Sequence, residues 1–185
     1  MANLRPTFTT HLGRREWLQR SSFVVGSFGL YSSRAIAASD DEISRTAEAI
    51  HQEVLFKVAP HRVYDALTDA SQFQRVESFS AAMKSMDVNS HPAVISREPG
   101  GAFSLFGDHI IGRQIELVAN HRIVQAWRVV SWSTGVFSMA HFELEAQGSA
   151  TKLVFDHIGF PAGMAEHLAE GWRGNYWEPL EKFFA

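Results

Sequence analysis

The chain has 185 residues, 45% hydrophobic and 20% charged, with no Cys and a formal net charge of −3. That length makes one domain with a tail, large enough to hide roughly 68–70% of its unfolded surface without covalent staples. The missing Cys excludes disulfides, thiolate metal sites and a thiol nucleophile, and the charge leaves no basic footprint for nucleic acid.

Residues 1–37 read as an address. They carry five Arg (Arg5, Arg14, Arg15, Arg20, Arg34) against one acidic residue, Glu16. A charged opening leads into the weakly apolar run Ser22–Tyr31 and then Ala35-Ile36-Ala37, an A-x-A sequence of the kind a signal peptidase cuts. The run is too short for a transmembrane helix, which needs about 20 apolar residues. Arg14-Arg15-Glu16-Trp17-Leu18 resembles the twin-arginine export signal, with Trp17 where Phe is usual. Cleavage between Ala37 and Ala38 would send the domain to the periplasm or outside the cell; without it, the protein would stay in the cytoplasm. Residues 38–185 hold 12 basic and 19 acidic residues, a net charge of −7. The stretch 38–49 is polar, lacks an apolar period and reads as a linker.

Ile50–Ala59 alternates as a strand, with Val54, Phe56 and Val58 sharing a face. Pro60 opens a helix with Val63, Tyr64, Ala66 and Leu67 as its apolar stripe, and Thr68-Asp69-Ala70 breaks it and caps a second helix over about Ser71–Val76. Glu77–Pro99 carries few signals. A strand meander follows: Phe103 and Leu105; Ile110–Val118; Ile123–Val130, where Gln125 and Trp127 share a face; Phe137–Glu145, with Ala140, Phe142 and Leu144 inward; and Thr151–Ile158, with Leu153, Phe155 and His157 inward. The remainder, Met164–Phe184, is a helix on which Leu168, Trp172, Tyr176, Leu180 and Phe183 recur at helical spacing. One sheet and one long amphipathic helix, each with a single apolar face, bury those faces against each other in an α+β domain over residues 50–185. Side chains as large as Trp172 and Tyr176 would hold helix and sheet apart and leave a cavity.

The run Phe106-Gly-Asp-His-Ile-Ile-Gly112, then Glu116-Leu-Val118, Ile123-Val-Gln-Ala-Trp-Arg128 and Ser131-Trp132, resembles the C-terminal domain of the activator of heat-shock-protein-90 ATPase. Phe142-x-Leu144, Thr151-x-Leu153, Gly159-Phe160-Pro161 and Gly171-Trp172 continue the resemblance in order. It implies the helix-grip fold of the START-like (SRPBCC) superfamily, an antiparallel sheet wrapped around a long C-terminal helix. It also implies a protein partner of the co-chaperone type. In the eukaryotic co-chaperone, however, a separate N-terminal domain carries most of the stimulation, and an exported chain would meet neither a cytosolic chaperone nor ATP.

The chemistry-bearing residues are sparse. Eight His follow residue 37, none in an H-x-x-x-H or H-x-H arrangement, so no metal ligand set is assigned and no cofactor is expected. There is no G-x-S-x-G elbow, no P-loop and no G-x-G-x-x-G. Gln125 and His157 are the inward-facing polar groups. His157 is the single acid/base candidate for a cofactor-free cyclase or dehydratase; its plainer role is a strand-end His bonded to a backbone carbonyl. No catalytic residue is assigned beyond it. Phe103, Gln125, Trp127, Phe142, Phe155, His157, Trp172 and Tyr176 are the expected contacts for a small hydrophobic ligand between sheet and helix. The leading expectation is therefore an exported ligand-binding protein, with a protein-interaction module and the enzyme as alternatives.

Overall fold

The computed structural model describes residues 48–80 and 91–185; the expected export segment, its expected cleavage point and most of the expected linker lie outside them. Seven antiparallel strands form one sheet in the order β1-β7-β6-β5-β4-β3-β2. β1 is Ala49–Phe56, β2 Val94–Ile95, β3 Ala102–Leu105, β4 Ile110–Val118, β5 Arg122–Val129, β6 Ser138–Gln147 and β7 Ala150–Ile158. Each strand from β2 to β7 pairs with the next in sequence, and β1 closes the order beside β7 with Ala49 opposite Ile158 and Phe56 opposite Thr151. β1 stops at Phe56, three residues short of the expected Ala59; opposite Thr151 it has nearly reached the start of β7, where Ala150 alone remains. Val58 instead turns its carbonyl to the Thr151 hydroxyl at 2.6 Å.

Helices α1 (Pro60–Thr68) and α2 (Ala70–Glu77) carry the chain from β1 to the far edge. Asp69 separates them as expected, its carboxylate accepting from the Gln72 N–H at 3.0 Å. The two-residue β2 falls in the stretch with few signals, and its brevity explains why alternation did not announce it.

The C-terminal helix runs Ala165–Phe184, but not as one regular coil. Helix α3 (Ala165–Trp172) passes into a π-helical turn at Arg173–Trp177 before α4 (Glu178–Phe184). There the Glu178 N–H reaches back five residues to the Arg173 carbonyl. The extra residue in that turn brings Tyr176 and Trp177 inward together, whereas steps of four left Trp177 off the apolar stripe; both are buried, as are Trp172 and Leu180. Glu48 fastens the start of this helix, its two carboxylate oxygens accepting from the Gly163 and Ala165 N–H groups at 2.7 and 3.1 Å.

The fold is the expected α+β helix-grip architecture. Its centre is solid aromatic packing: the Trp172 ring lies 4.4 Å from Phe155 and 5.4 Å from Trp127, and Phe142 lies 5.0 Å from Phe155. Trp172 therefore fills the space between helix and sheet instead of propping it open.

Candidate functional site

The empty space lies to one flank. A cleft of about 530 Å³ opens between the helix and the ends of β3, β4 and β5, with Phe106, Ile110, Trp127 and Val129 on the sheet side. Leu168, Gly171, Trp172, Gly174, Asn175 and Tyr176 form the helix side, and His109, His167, Glu170, Glu178 and Lys182 add charged or polar groups to the lining. Gly171 and Gly174 each sit in a helix with nothing within 4 Å of where a Cβ would be. A helical Gly costs about 0.5–1 kcal/mol relative to Ala. No packing requires either glycine, and both border the cleft, so their effect is to keep it open. The π turn occupies the same stretch, a feature frequent at functional sites.

Trp127 points from β5 across the cleft, its Nε1–H donating to the Tyr176 hydroxyl at 3.5 Å, and Tyr176 packs 5.2 Å from the Phe106 ring. Burial pushes the Tyr176 phenol far above its ordinary range, so it stays protonated. The β3–β4 connection has three successive residues in the left-handed region: Phe106 (φ 54°), Gly107 (φ 62°) and Asp108 (φ 67°). Only the glycine adopts it without strain; a bulky residue such as Phe106 is an outlier there. The Glu77 carboxylate, buried at the end of α2, accepts from the Phe106 N–H at 2.6 Å. Burial pushes the Glu77 carboxyl up to about 7, against the lowering effect of that N–H.

Of the eight expected ligand contacts, Trp127, Trp172 and Tyr176 border the cleft and the other five lie outside its lining. Phe103 lies over its cross-strand neighbour Gly112, where a Cβ would come within 2.3 Å of the ring. Phe142 and Phe155 are in the aromatic centre. The Gln125 amide donates to Gln114 Oε1 at 3.2 Å, and the Gln114 Nε2 group is buried without a partner among the described residues.

His157 is fully buried and both ring nitrogens are engaged. An indole N–H can only donate, so the Trp172 Nε1–H at 2.9 Å fixes Nδ1 as the acceptor and puts the imidazole proton on Nε2. That proton goes to the Ser138 hydroxyl at 2.7 Å, and Ser138 donates to the Trp127 carbonyl at 2.9 Å. Burial pushes His157 down to about 4. It thus tethers the C-terminal helix to two strands; the backbone carbonyl expected as its partner is bonded by Ser138 instead, one step along the relay.

Sequence reasoning missed Phe106, Glu77 and the two helical glycines. Phe106 enters the sequence reading only as the first residue of the family-like run, and Glu77 begins the stretch with few signals. Gly171 enters only through the resemblance and Gly174 not at all, although two glycines three apart on one helix are a usable sign. Among the described residues no group of three or more His, Asp or Glu could hold a metal ion, and no helix is long and apolar enough to cross a membrane.

Residues 57–185 match the family model described as "Activator of Hsp90 ATPase homolog 1-like protein", AHSA1. The chain belongs to this family. AHSA1 relatives include the activator of 90 kDa heat shock protein ATPase homolog 2 of Mus musculus, 26% identical over 133 residues that cover 72% of this chain and 37% of the relative. Homolog 1 of Homo sapiens is 26% identical over 129 residues, covering 70% of this chain and 35% of the relative. The chain thus spans little more than a third of the length of these AHSA1 proteins. Among solved structures, an HSP90 activator from Plasmodium falciparum superposes with a TM-score of 0.64 at 26% identity, covering 72% of this chain and 94% of that one. CalU16 from Micromonospora echinospora, at TM-score 0.59 and 19% identity over 75% of this chain and 77% of its own, shares the fold.

Proposed function

We propose that this AHSA1-family chain is exported and captures a small, largely apolar ligand in the cleft between its sheet and its C-terminal helix. One observation carries the reading: an aromatic-walled cleft of about 530 Å³ kept open by Gly171 and Gly174, which nothing in the packing requires. Volume and lining suit a drug-sized ligand with an aromatic or acyl body, oriented by a few polar groups such as Asn175. His157 serves the packing in this reading, and no reaction is assigned to it.

Native mass spectrometry of protein recovered from the periplasm of an expressing bacterium tests both parts. A mass beginning at Ala38 with a retained adduct is the expected result; full-length, empty, cytosolic protein would sink it. Gly174→Leu then checks the location, because a Cβ there meets nothing within 4 Å and the longer side chain takes up space in the cleft. The adduct should disappear while the melting temperature stays within a few degrees.

A second reading takes the chain as a protein-interaction module, as the names of its AHSA1 relatives imply for an Hsp90-type partner. Its specific support is an apolar margin where β5 and β7 end and β6 begins: Val130, Phe137 and Ile158 are each about half exposed. Phe137→Asp would abolish partner binding under this reading and leave ligand capture intact.

A further inference from the structure

The end of α2 is tied to both walls of the cleft. Glu77 reaches the sheet wall through the Phe106 N–H at 2.6 Å, and three residues later the Ser80 hydroxyl reaches the helix wall through Asn175 Oδ1 at 2.6 Å. Phe106 is the wall residue under strain. Its ring is wedged between Phe73, 5.6 Å away on α2, and Tyr176, 5.2 Å away on the π turn, while its backbone is left-handed. Asp108 pins the other end of the turn through the Ser104 hydroxyl and His91, the latter at 2.9 Å.

A bulky left-handed residue persists only where its surroundings over-determine it. Removing the carboxylate would leave the buried Phe106 N–H without a partner and the strain without its restraint. We propose that Glu77 is a positioning residue: its carboxylate holds Phe106 in the strained turn and so sets the cleft wall against which a ligand packs. This rests on the reading of the cleft as a ligand site.

A charge-assisted bond is roughly twice as strong as a neutral one, so the hold on Phe106 depends on the charge of Glu77. Burial raises that carboxyl to about 7, which places the change near neutral pH. Among the described residues, Tyr176 is the titratable side chain coupled to Glu77, and it stays protonated throughout. Arg75, on the same helix, is turned to the Phe183 ring. The cleft lining brings its own ionisable groups, His109, His167, Glu170, Glu178 and Lys182. They remain in a Glu77→Gln variant, whose amide carbonyl can still accept from Phe106 without titrating.

The experiment follows the full chain and the Glu77→Gln variant from pH 5.5 to 8.5 with two readouts. One is the affinity for N-phenyl-1-naphthylamine, an uncharged apolar fluorophore; the other is the NMR shift of the Phe106 amide without fluorophore. The wild type should lose about fivefold in affinity on acidification through neutral pH. Its Phe106 amide should titrate over the same interval, and both changes should be absent from Glu77→Gln. A Phe106 amide indifferent to pH, or a variant that keeps the wild-type affinity profile, would overturn the proposal. An amide that titrates only in the wild type, in a protein that takes up no fluorophore at any pH, would support the positioning role and overturn the ligand reading instead.

Discussion

A neutral imidazole and a raised carboxyl pull the stability of this domain in opposite directions with pH. His157 has a folded-state value near 4 against an ordinary 6.5, so the unfolded chain takes up the proton first; its contribution is full above 6.5 and is lost as pH falls toward 4. Glu77 has a folded-state value near 7 against 4.5, so the folded chain keeps the proton longer; its contribution is full below 4.5 and is lost as pH rises through 7. Between about 4.5 and 6.5 the two slopes oppose each other. Wild-type stability measured by urea denaturation should therefore be nearly flat across that interval. Glu77→Gln should expose a loss toward acid, and His157→Asn a gain toward acid. His157→Asn should also lower stability at pH 7 by on the order of 2–4 kcal/mol, because the Trp172 indole N–H and Ser138 lose their partner in a packed centre. Alternation along β7 placed His157 on the inner face, and the structure agrees. Its partners were not legible, because Trp172 and Ser138 are 15 and 19 residues away and meet it only across the fold.

The strands were legible because each buries one face, so alternation recurs within every strand; β4 through β7 fall close to their expected bounds. The C-terminal helix was legible as a helix and not as a π-wound one. A reading at 3.6 residues per turn follows Leu168, Trp172, Tyr176 and Leu180 without strain and has no reason to insert a residue. Only Trp177, an aromatic off the stripe whose Nε1–H finds the Gln52 side chain at 2.5 Å in the interior, betrays the wider turn. The glycines on this helix carry their own expectation. Gly171→Ala and Gly174→Ala should each raise stability by about 0.4–1 kcal/mol, since neither has positive φ nor a neighbour for the new methyl to strike. If the cleft takes a ligand, each should also weaken uptake of the same fluorophore. Thermal melts and fluorescence titration on the same samples would show the two effects moving in opposite directions.

At the scale of the whole molecule, the polar stretch ahead of β1 has a structural end. Glu48 falls within residues 38–49, read as linker, yet its carboxylate caps the helix that begins 117 residues later. A chain started at Ala49 should lose about 1 kcal/mol relative to one started at Ala38, and Glu48→Ala should lose the same amount, as measured by chemical denaturation. The sequence could place Glu48 in a polar segment but had no local signal for a contact that only the closed fold creates.

That closure has a consequence for synthesis. Among the described residues the edge strand β1 has no partner except β7, and Ala49 meets Ile158 across more than a hundred residues of intervening chain. A nascent polypeptide emerging from the ribosome can assemble the central hairpins as they appear, since β4, β5, β6 and β7 pair in the order they are made. β1 and the two helices behind it must wait, with Ile50 and Phe56 uncovered, until β7 and the C-terminal helix have been released. Contacts so far apart in sequence fold slowly and expose apolar surface in the interval. Folding of this domain therefore waits for β7 and the C-terminal helix, and its earliest strand is the last to be protected.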